Sequence, residues 1–349
     1  MDGGRCKEWF NGLQALRGIL FLLVFVSHSG AFFKTDGAYG AMAVSAFFVL
    51  SGFLGGARGI DGESSLFKQC IASLCRRIRR FWPVYAALLP VAVILNPCGV
   101  LDFLKCAFLV QSYFGEAKTA MLLNWPTWFL SSIMLSYLLS PILVRAARSL
   151  GRYAPWGLLL LWVAELWWAF VWRGTTATVS DPGYYWVYIC PIARLVDFAA
   201  GVLLGVGYAR RRNPVGASGR MATMCECAAV GLALLSMSCC GRVSVSFVGS
   251  AIWLPASVAV VWVFARCEGP VAGCCRSSWL MWLGRRSFEL YVVHRMVLLF
   301  VAKAAACTMS AWFIALLATC IVAELLATAD AVLRSWTIGR SSARSGVMS

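Results

Sequence analysis

Arg17 and His28 stand eleven positions apart within one apolar run, 13–33. On a helix, eleven steps of ~100° return to within ~20° of the start, and a rise of ~1.5 Å per residue places the two ~16 Å apart along one face. A guanidinium grips anions with a rigid fork of donors, and an imidazole accepts a proton near neutral pH. If the run crosses a bilayer with a hydrocarbon core ~30 Å thick, Arg17 sits at one mouth and His28 near mid-depth. A cation at the entrance and a base halfway in suit a long substrate with an anionic head and a reactive far end. Acyl-coenzyme A has that shape. Two plainer readings use the same residues: Arg17 as an anchor that sets topology, and His28 as a helix–helix hydrogen-bond partner. The chain has only two His, and this one shares a face with an Arg, which favours chemistry.

Other residues could serve the same chemistry. RRIRRFWPVY, Arg76 to Tyr85, brings Arg76, Arg77, Arg79 and Arg80 to a helix entrance. They fit a cradle for donor phosphates and equally an anchor to anionic lipid, with Trp82 and Tyr85 in the aromatic belt. In FFVLSGFLGG, Phe47 to Gly56, Ser51 and Gly52 interrupt an aromatic and aliphatic span. They read as part of a substrate tunnel or as small-residue helix packing. Arg194 and Asp197 lie at i, i+3 in PIARLVDFAAGVLLG and read as a self-neutralising structural pair. His294 follows Arg285, Arg286 and Glu289 on another span, close to Arg286 in helical direction. It reads as a partner or a structural polar residue rather than a second base. Glu165, Glu226, Arg295 and Glu324 complete the ionisable groups inside apolar runs, where a charge at mid-membrane costs ~2.5–3.5 kcal/mol on insertion scales.

The elements that must position these groups are membrane spans. With 60% hydrophobic and 13% charged residues and a mean hydropathy of +0.76 over 349 residues, the chain is far more apolar than a soluble domain. The apolar residues extend over nearly the whole length, so a single anchor does not account for them. Runs long enough to cross fall at 13–33, 41–57, 79–96, 127–147, 155–172, 187–208, 223–240, 247–265, 279–302 and 308–329. The stretch 101–113 is too short and reads as re-entrant or interfacial. The expected fold is therefore all-α and polytopic, with about ten transmembrane helices. Residues 1–333 form the membrane domain and 334–349 a disordered Ser/Gly/Arg-rich tail.

The formal charge of +16 fits topology better than nucleic acid, which is not expected as a partner. With the N-terminus in the cytoplasm, twenty cations fall in cytoplasmic segments and six on the far side. This supports an N-in, C-in arrangement, because Lys and Arg resist translocation. The first run lacks a small-residue cleavage site and carries Arg17 and His28, so it does not read as a cleaved signal peptide. Most of the 15 Cys lie within apolar runs, where thiols act as small hydrophobes; the pairs Cys239-Cys240 and Cys274-Cys275 lack metal-site spacing, and no metal is expected.

In this order the segments resemble the acyltransferase-3 superfamily of integral membrane acyltransferases. LQALRGILFLLVFVSH, Leu13 to His28, is similar to its Arg-x10-His signature, and FFVLSGFL, Phe47 to Leu54, to its second-span motif. RRIRRFWPVY, TWFLSSIMLSYLLSPIL, ARLVDFAAGVLLG and LGRRSFELYVVH are similar to later motifs, so the resemblance covers about residues 10–330. Gln14 stands where the family commonly has Asp, and Ile133 where one branch has Glu. The resemblance implies transfer of an acyl group, commonly acetyl, from cytoplasmic acyl-CoA to a hydroxyl of a sugar, glycolipid or cell-envelope precursor. It also favours a bacterial plasma (inner) membrane. Neutral His28 would be the general base, or else carry the acyl group covalently. Arg17 would hold the donor with Ser51, Gly52, Arg76, Arg77, Arg79 and Arg80, and Arg194, Asp197, Arg286 and His294 would form a further polar site. The rival from another class is an exporter of polysaccharide or lipid-linked sugar; the inverted repeats that would mark one are not evident.

Overall fold

A computed structural model describes residues 3–345, apart from 35–36, 60–63, 211–218, 267–268 and 276, with side chains described from Asn11 to Ser335 except Ala38. Of the cations counted above, Arg5, Lys7, Arg211, Arg212, Arg276, Arg340 and Arg344 lie outside the described side chains.

Among the described residues all regular structure is helical. In hydrocarbon each backbone N–H and C=O must be paired within its own segment, and an apolar helix does this without neighbours. The helices are α1 (Gly3–Ser27), α2 (Ala38–Arg58), α3 (Leu66–Leu95), α4 (Val100–Ala107), α5 (Ala117–Ala120), α6 (Trp128–Leu150), α7 (Ala154–Val171) and α8 (Pro182–Tyr184). There follow α9 (Pro191–Arg210), α10 (Gly219–Cys239), α11 (Val245–Gly249), α12 (Leu254–Arg266), α13 (Pro270–Cys274), α14 (Ser278–Arg285), α15 (Ser287–Ala304) and α16 (Met309–Ser345).

Among the described residues, seven stretches are long and apolar enough to cross a membrane: Tyr39–Arg58, Leu66–Leu95, Trp125–Val171, Pro182–Arg210, Gly219–Cys239, Val245–Arg266 and Met309–Ser335. That is fewer than the ten runs read from the sequence, for two physical reasons. Trp125–Val171 holds two helices, α6 and α7, which part at Gly151, where φ is +52°. The other two expected runs correspond to α1 and α15. The apolar part of α1, Asn11–Ser27, is short, and α15 carries Glu289, Arg295 and Lys303. The segment 101–113 forms the eight-residue α4, a left-handed Leu109 and a 3-10 turn at Gln111–Tyr113. Gln111 and Ser112 are fully buried, and Ser112 Oγ donates to the Trp128 carbonyl at 3.0 Å. The last helix runs through Ser345, so 334–345, expected to be irregular, continues α16.

The pair α2–α9 is the centre of the bundle. A Cβ at Gly52 would run into the Phe198 carbonyl, and one at Gly201 into the Val49 carbonyl. Only glycine lets the two backbones approach so closely, which is the small-residue packing used where water supplies no driving force between helices. Phe48, Phe53 and Phe198 fill the space beside the contact with no exposed surface. By contrast, Leu160, Trp167, Ile314, Leu317 and Leu325 point outward and are more than half exposed, as side chains facing lipid must be. At one end of the bundle gather the last turns of α2, α6 and α9 and the first turns of α3 and α15; at the other lie His28 and the first turns of α2, α6 and α9.

Candidate active site

Three cavities follow one another along the bundle. The first, about 460 Å³, opens at the end where α2 finishes and α3 begins, and its cations are Arg58, Arg76, Arg77 and Arg80. Among the described residues no carboxylate stands within ion-pair distance of these four. They reach the cavity because Ser51, Gly55 and Arg58 fall on one face of α2, at i, i+4 and i+7. From α3, Arg76, Arg77 and Arg80 face them. The Arg77 guanidinium lies 4.4 Å from the centre of the Tyr137 ring, a cation–π contact that fixes its direction.

The second cavity is a narrow slot of about 80 Å³, bordered by Ser51, Arg77, Arg80 and Tyr137 in common with the first. Arg17 enters it from α1, half-buried, and Phe129 and Tyr291 close its inner end. The third cavity, about 200 Å³, is lined by His28, Trp125, Trp128, Tyr184, Tyr188 and Tyr291, the last of which also borders the slot.

His28 is paired with the second His of the chain. Its Nδ1 lies 2.9 Å from His294 Nε2, and His294 Nδ1 lies 2.7 Å from the Tyr291 carbonyl. A carbonyl oxygen only accepts, so Nδ1 of His294 carries hydrogen. In a neutral His294, Nε2 therefore accepts, and His28 must donate from Nδ1. His28 Nε2 is then left with its lone pair, the state a general base requires. Tautomers here follow from the hydrogen-bond network. Phe25, Phe21 and Tyr291 pack round His294, which has no exposed surface.

The sequence-predicted residues divide. Arg17, Ser51, Arg76, Arg77 and Arg80 line the two cationic cavities. Gly52 faces α9 instead, so it serves packing and not the tunnel. Arg79 is exposed outside the cavities, and its carbonyl accepts from Arg334 on α16. Arg286 is also elsewhere: it holds Glu324 of α16 in a two-pronged grip, with bonds of 2.8 and 2.7 Å. Arg194 and Asp197 form a fully buried pair at 3.1 Å. Arg194 also donates to the Tyr188 carbonyl at 2.7 Å and the Gly249 carbonyl at 2.6 Å, and its guanidinium lies 4.9 Å from the Tyr188 ring. The pair thus braces the wall of the third cavity from behind. Arg17 and His28, expected to meet one long substrate, line separate cavities instead, and Tyr291, buried and hydrogen-bonded, borders both.

The sequence reading missed Arg58, Tyr137, Tyr291 and the aromatic wall as site residues. The first had a signal, the seven-residue spacing from Ser51. Tyr291 lies one turn before His294 on α15, but nothing in the sequence says what its ring separates.

A family model described as an acyltransferase domain, Acyl_transf_3, matches residues 10–328. Comparison with curated proteins and with solved structures finds no match.

Proposed function

For a chain that belongs to the acyltransferase-3 family and is a membrane acyltransferase, we propose transfer from acyl-CoA, acetyl-CoA foremost, to a hydroxyl of a sugar, glycolipid or cell-envelope precursor. The single observation that carries this reading is the His28–His294 pair beside an aromatic chamber, with Tyr291 shared between that chamber and the Arg17 slot that adjoins the guanidinium cavity. Arg58, Arg76, Arg77 and Arg80 offer forked donors to the phosphates of the donor. Arg17, one step further in, receives the inner part of the arm. Flat aromatic faces such as Trp125, Trp128 and Tyr188 suit the apolar faces of a sugar ring, while leaving its hydroxyls free to turn toward His28.

The reaction follows from the tautomers. His28 Nε2 takes the proton of the acceptor hydroxyl as that oxygen bonds to the thioester carbonyl carbon. The C–S bond breaks, and the thiolate leaves carrying the electron pair and collects the proton. His294 disperses the positive charge on His28 through the Nδ1–Nε2 bond and passes part of it toward the Tyr291 carbonyl. The base is then a dyad of His28 and His294. We place the Arg-lined end in the cytoplasm, which is where acyl-CoA is met. Ten crossings then result, with α6 and α7 as two of them and α1 and α15 included, whose Arg17 and Tyr291 line the slot.

The test is acetyl-CoA turnover and thermal stabilisation by free CoA in detergent-purified protein. Wild type is expected to be stabilised by CoA, and His28→Ala to keep that stabilisation while losing transfer. No stabilisation by CoA would remove the donor assignment; transfer at the wild-type rate in His28→Ala would remove the base.

A further inference from the structure

Tyr291 is the wall shared by the Arg17 slot and the His28 chamber. Its ring lies 5.4 Å from that of Phe129 and 5.6 Å from that of His294, centre to centre. Its hydroxyl donates to the Pro126 carbonyl at 2.6 Å. That hydrogen bond latches a side chain with two torsions, and a ring freed from it can turn without moving the backbone. The latch is not remote from the acceptor: Pro126 belongs to the 3-10 turn Trp125–Thr127, and Trp125 and Pro126 both line the His28 chamber. An acceptor that stacks there presses on the turn holding the latch. The same residue holds His294 Nδ1 by its carbonyl, and a side-chain rotation leaves that bond in place.

We propose that Tyr291 is a shutter between the acyl donor and the acceptor chamber. Closed, it keeps the thioester away from His28 and from water on the acceptor side; occupation of the chamber opens it. The inference rests on the acyltransferase reading above. Its chemical consequence is protection against wasteful hydrolysis. In that side reaction a water oxygen bonds to the acyl carbon, His28 takes one water proton, and the C–S bond breaks. The thiolate then recovers the proton, giving the free acid and CoA.

The experiment follows acetyl-CoA hydrolysis by chromatography without any acceptor, in wild type, Tyr291→Ala, Tyr291→Phe, Phe129→Ala and the double variant Tyr291→Ala/His28→Ala. Opening the partition is expected to raise hydrolysis about tenfold in Tyr291→Ala, since a closed site excludes water. Loss of the latch alone in Tyr291→Phe should raise it about threefold, the order of one hydrogen bond. Phe129→Ala should also raise it, and the double variant should return to the wild-type level. A residue that merely supports the fold would lower activity and never raise hydrolysis. Stabilisation by free CoA reports an intact donor site in each variant; should Tyr291→Ala fail that check, Tyr291→Phe and Phe129→Ala carry the measurement. Hydrolysis at or below wild type in every folded variant, with CoA stabilisation and transfer intact in wild type, overturns the shutter alone. A wild type that CoA does not stabilise overturns the donor reading and the shutter with it.

Discussion

The chemistry of His28 depends on which of its ring nitrogens carries hydrogen, and a residue 266 positions away decides it. Removing the His294 ring takes away the acceptor that holds hydrogen on Nδ1, so the other tautomer, with no free lone pair on Nε2, becomes available. We expect His28→Ala to lose ~10²–10⁴-fold in transfer rate, the range of a general base. His294→Ala should lose roughly 10-fold or more by the same logic, with the apparent Michaelis constant for acyl-CoA unchanged in both; steady-state kinetics check the split. Arg77→Ala should do the reverse, raising that Michaelis constant while leaving the rate at saturating acyl-CoA near wild type. The sequence singled out His28, Arg17 and the Arg76–Arg80 run as candidates, because ionisable groups within or beside apolar spans are costly to keep. It did not reveal the dyad, since helical periodicity relates residues on one helix and His28 and His294 occupy two.

Helix packing places these groups, and two contacts account for much of it. The glycines of α2 and α9 set the distance between central helices, and with it the position of Ser51 and Arg58. Gly201→Val should overpack this contact and cost ~1–3 kcal/mol or more, seen as a lower melting temperature in detergent with loss of CoA stabilisation. The grip of Arg286 on Glu324 joins the start of α15 to α16. Arg286→Ala should lower the melting temperature and leave the Michaelis constant for acyl-CoA unchanged, because the side chain lies outside the cavities. From sequence, Gly52 and Arg286 looked like site residues. Their types fit the chemistry, and only the direction in which each points assigns them to packing.

Across the whole molecule the candidate site runs in one direction, from an arginine-lined end to an aromatic chamber around His28. Screening should weaken the arginine end selectively, so the stabilisation by CoA should shrink as salt rises from 0.05 to ~0.5 M, where the Debye length falls to a few Å. The same polarity fixes an expected labelling pattern. Cys75 near the start of α3 and Cys307 between α15 and α16 are both exposed, at opposite ends of the bundle. With the arginine end in the cytoplasm, an impermeant maleimide added outside intact cells should modify the peptide bearing Cys307 and not the one bearing Cys75, read by mass spectrometry. Modification of Cys75 alone would reverse the orientation.

The sequence by itself determined that this chain is an all-helical membrane protein of an acyltransferase family, because apolar run length and short motifs are local properties that composition and spacing record directly. It also placed Arg17 and His28 on a common face, since the pitch of a helix is fixed. Only the tertiary structure decided that His294 bonds to His28, that Arg58 joins the cationic cavity, and that Arg17 and His28 line separate cavities with Tyr291 bordering both. Those facts depend on which faces of separate helices meet. Between helices in hydrocarbon, that choice is made by close packing and a few hydrogen bonds distributed over hundreds of residues, and no spacing along one helix encodes it.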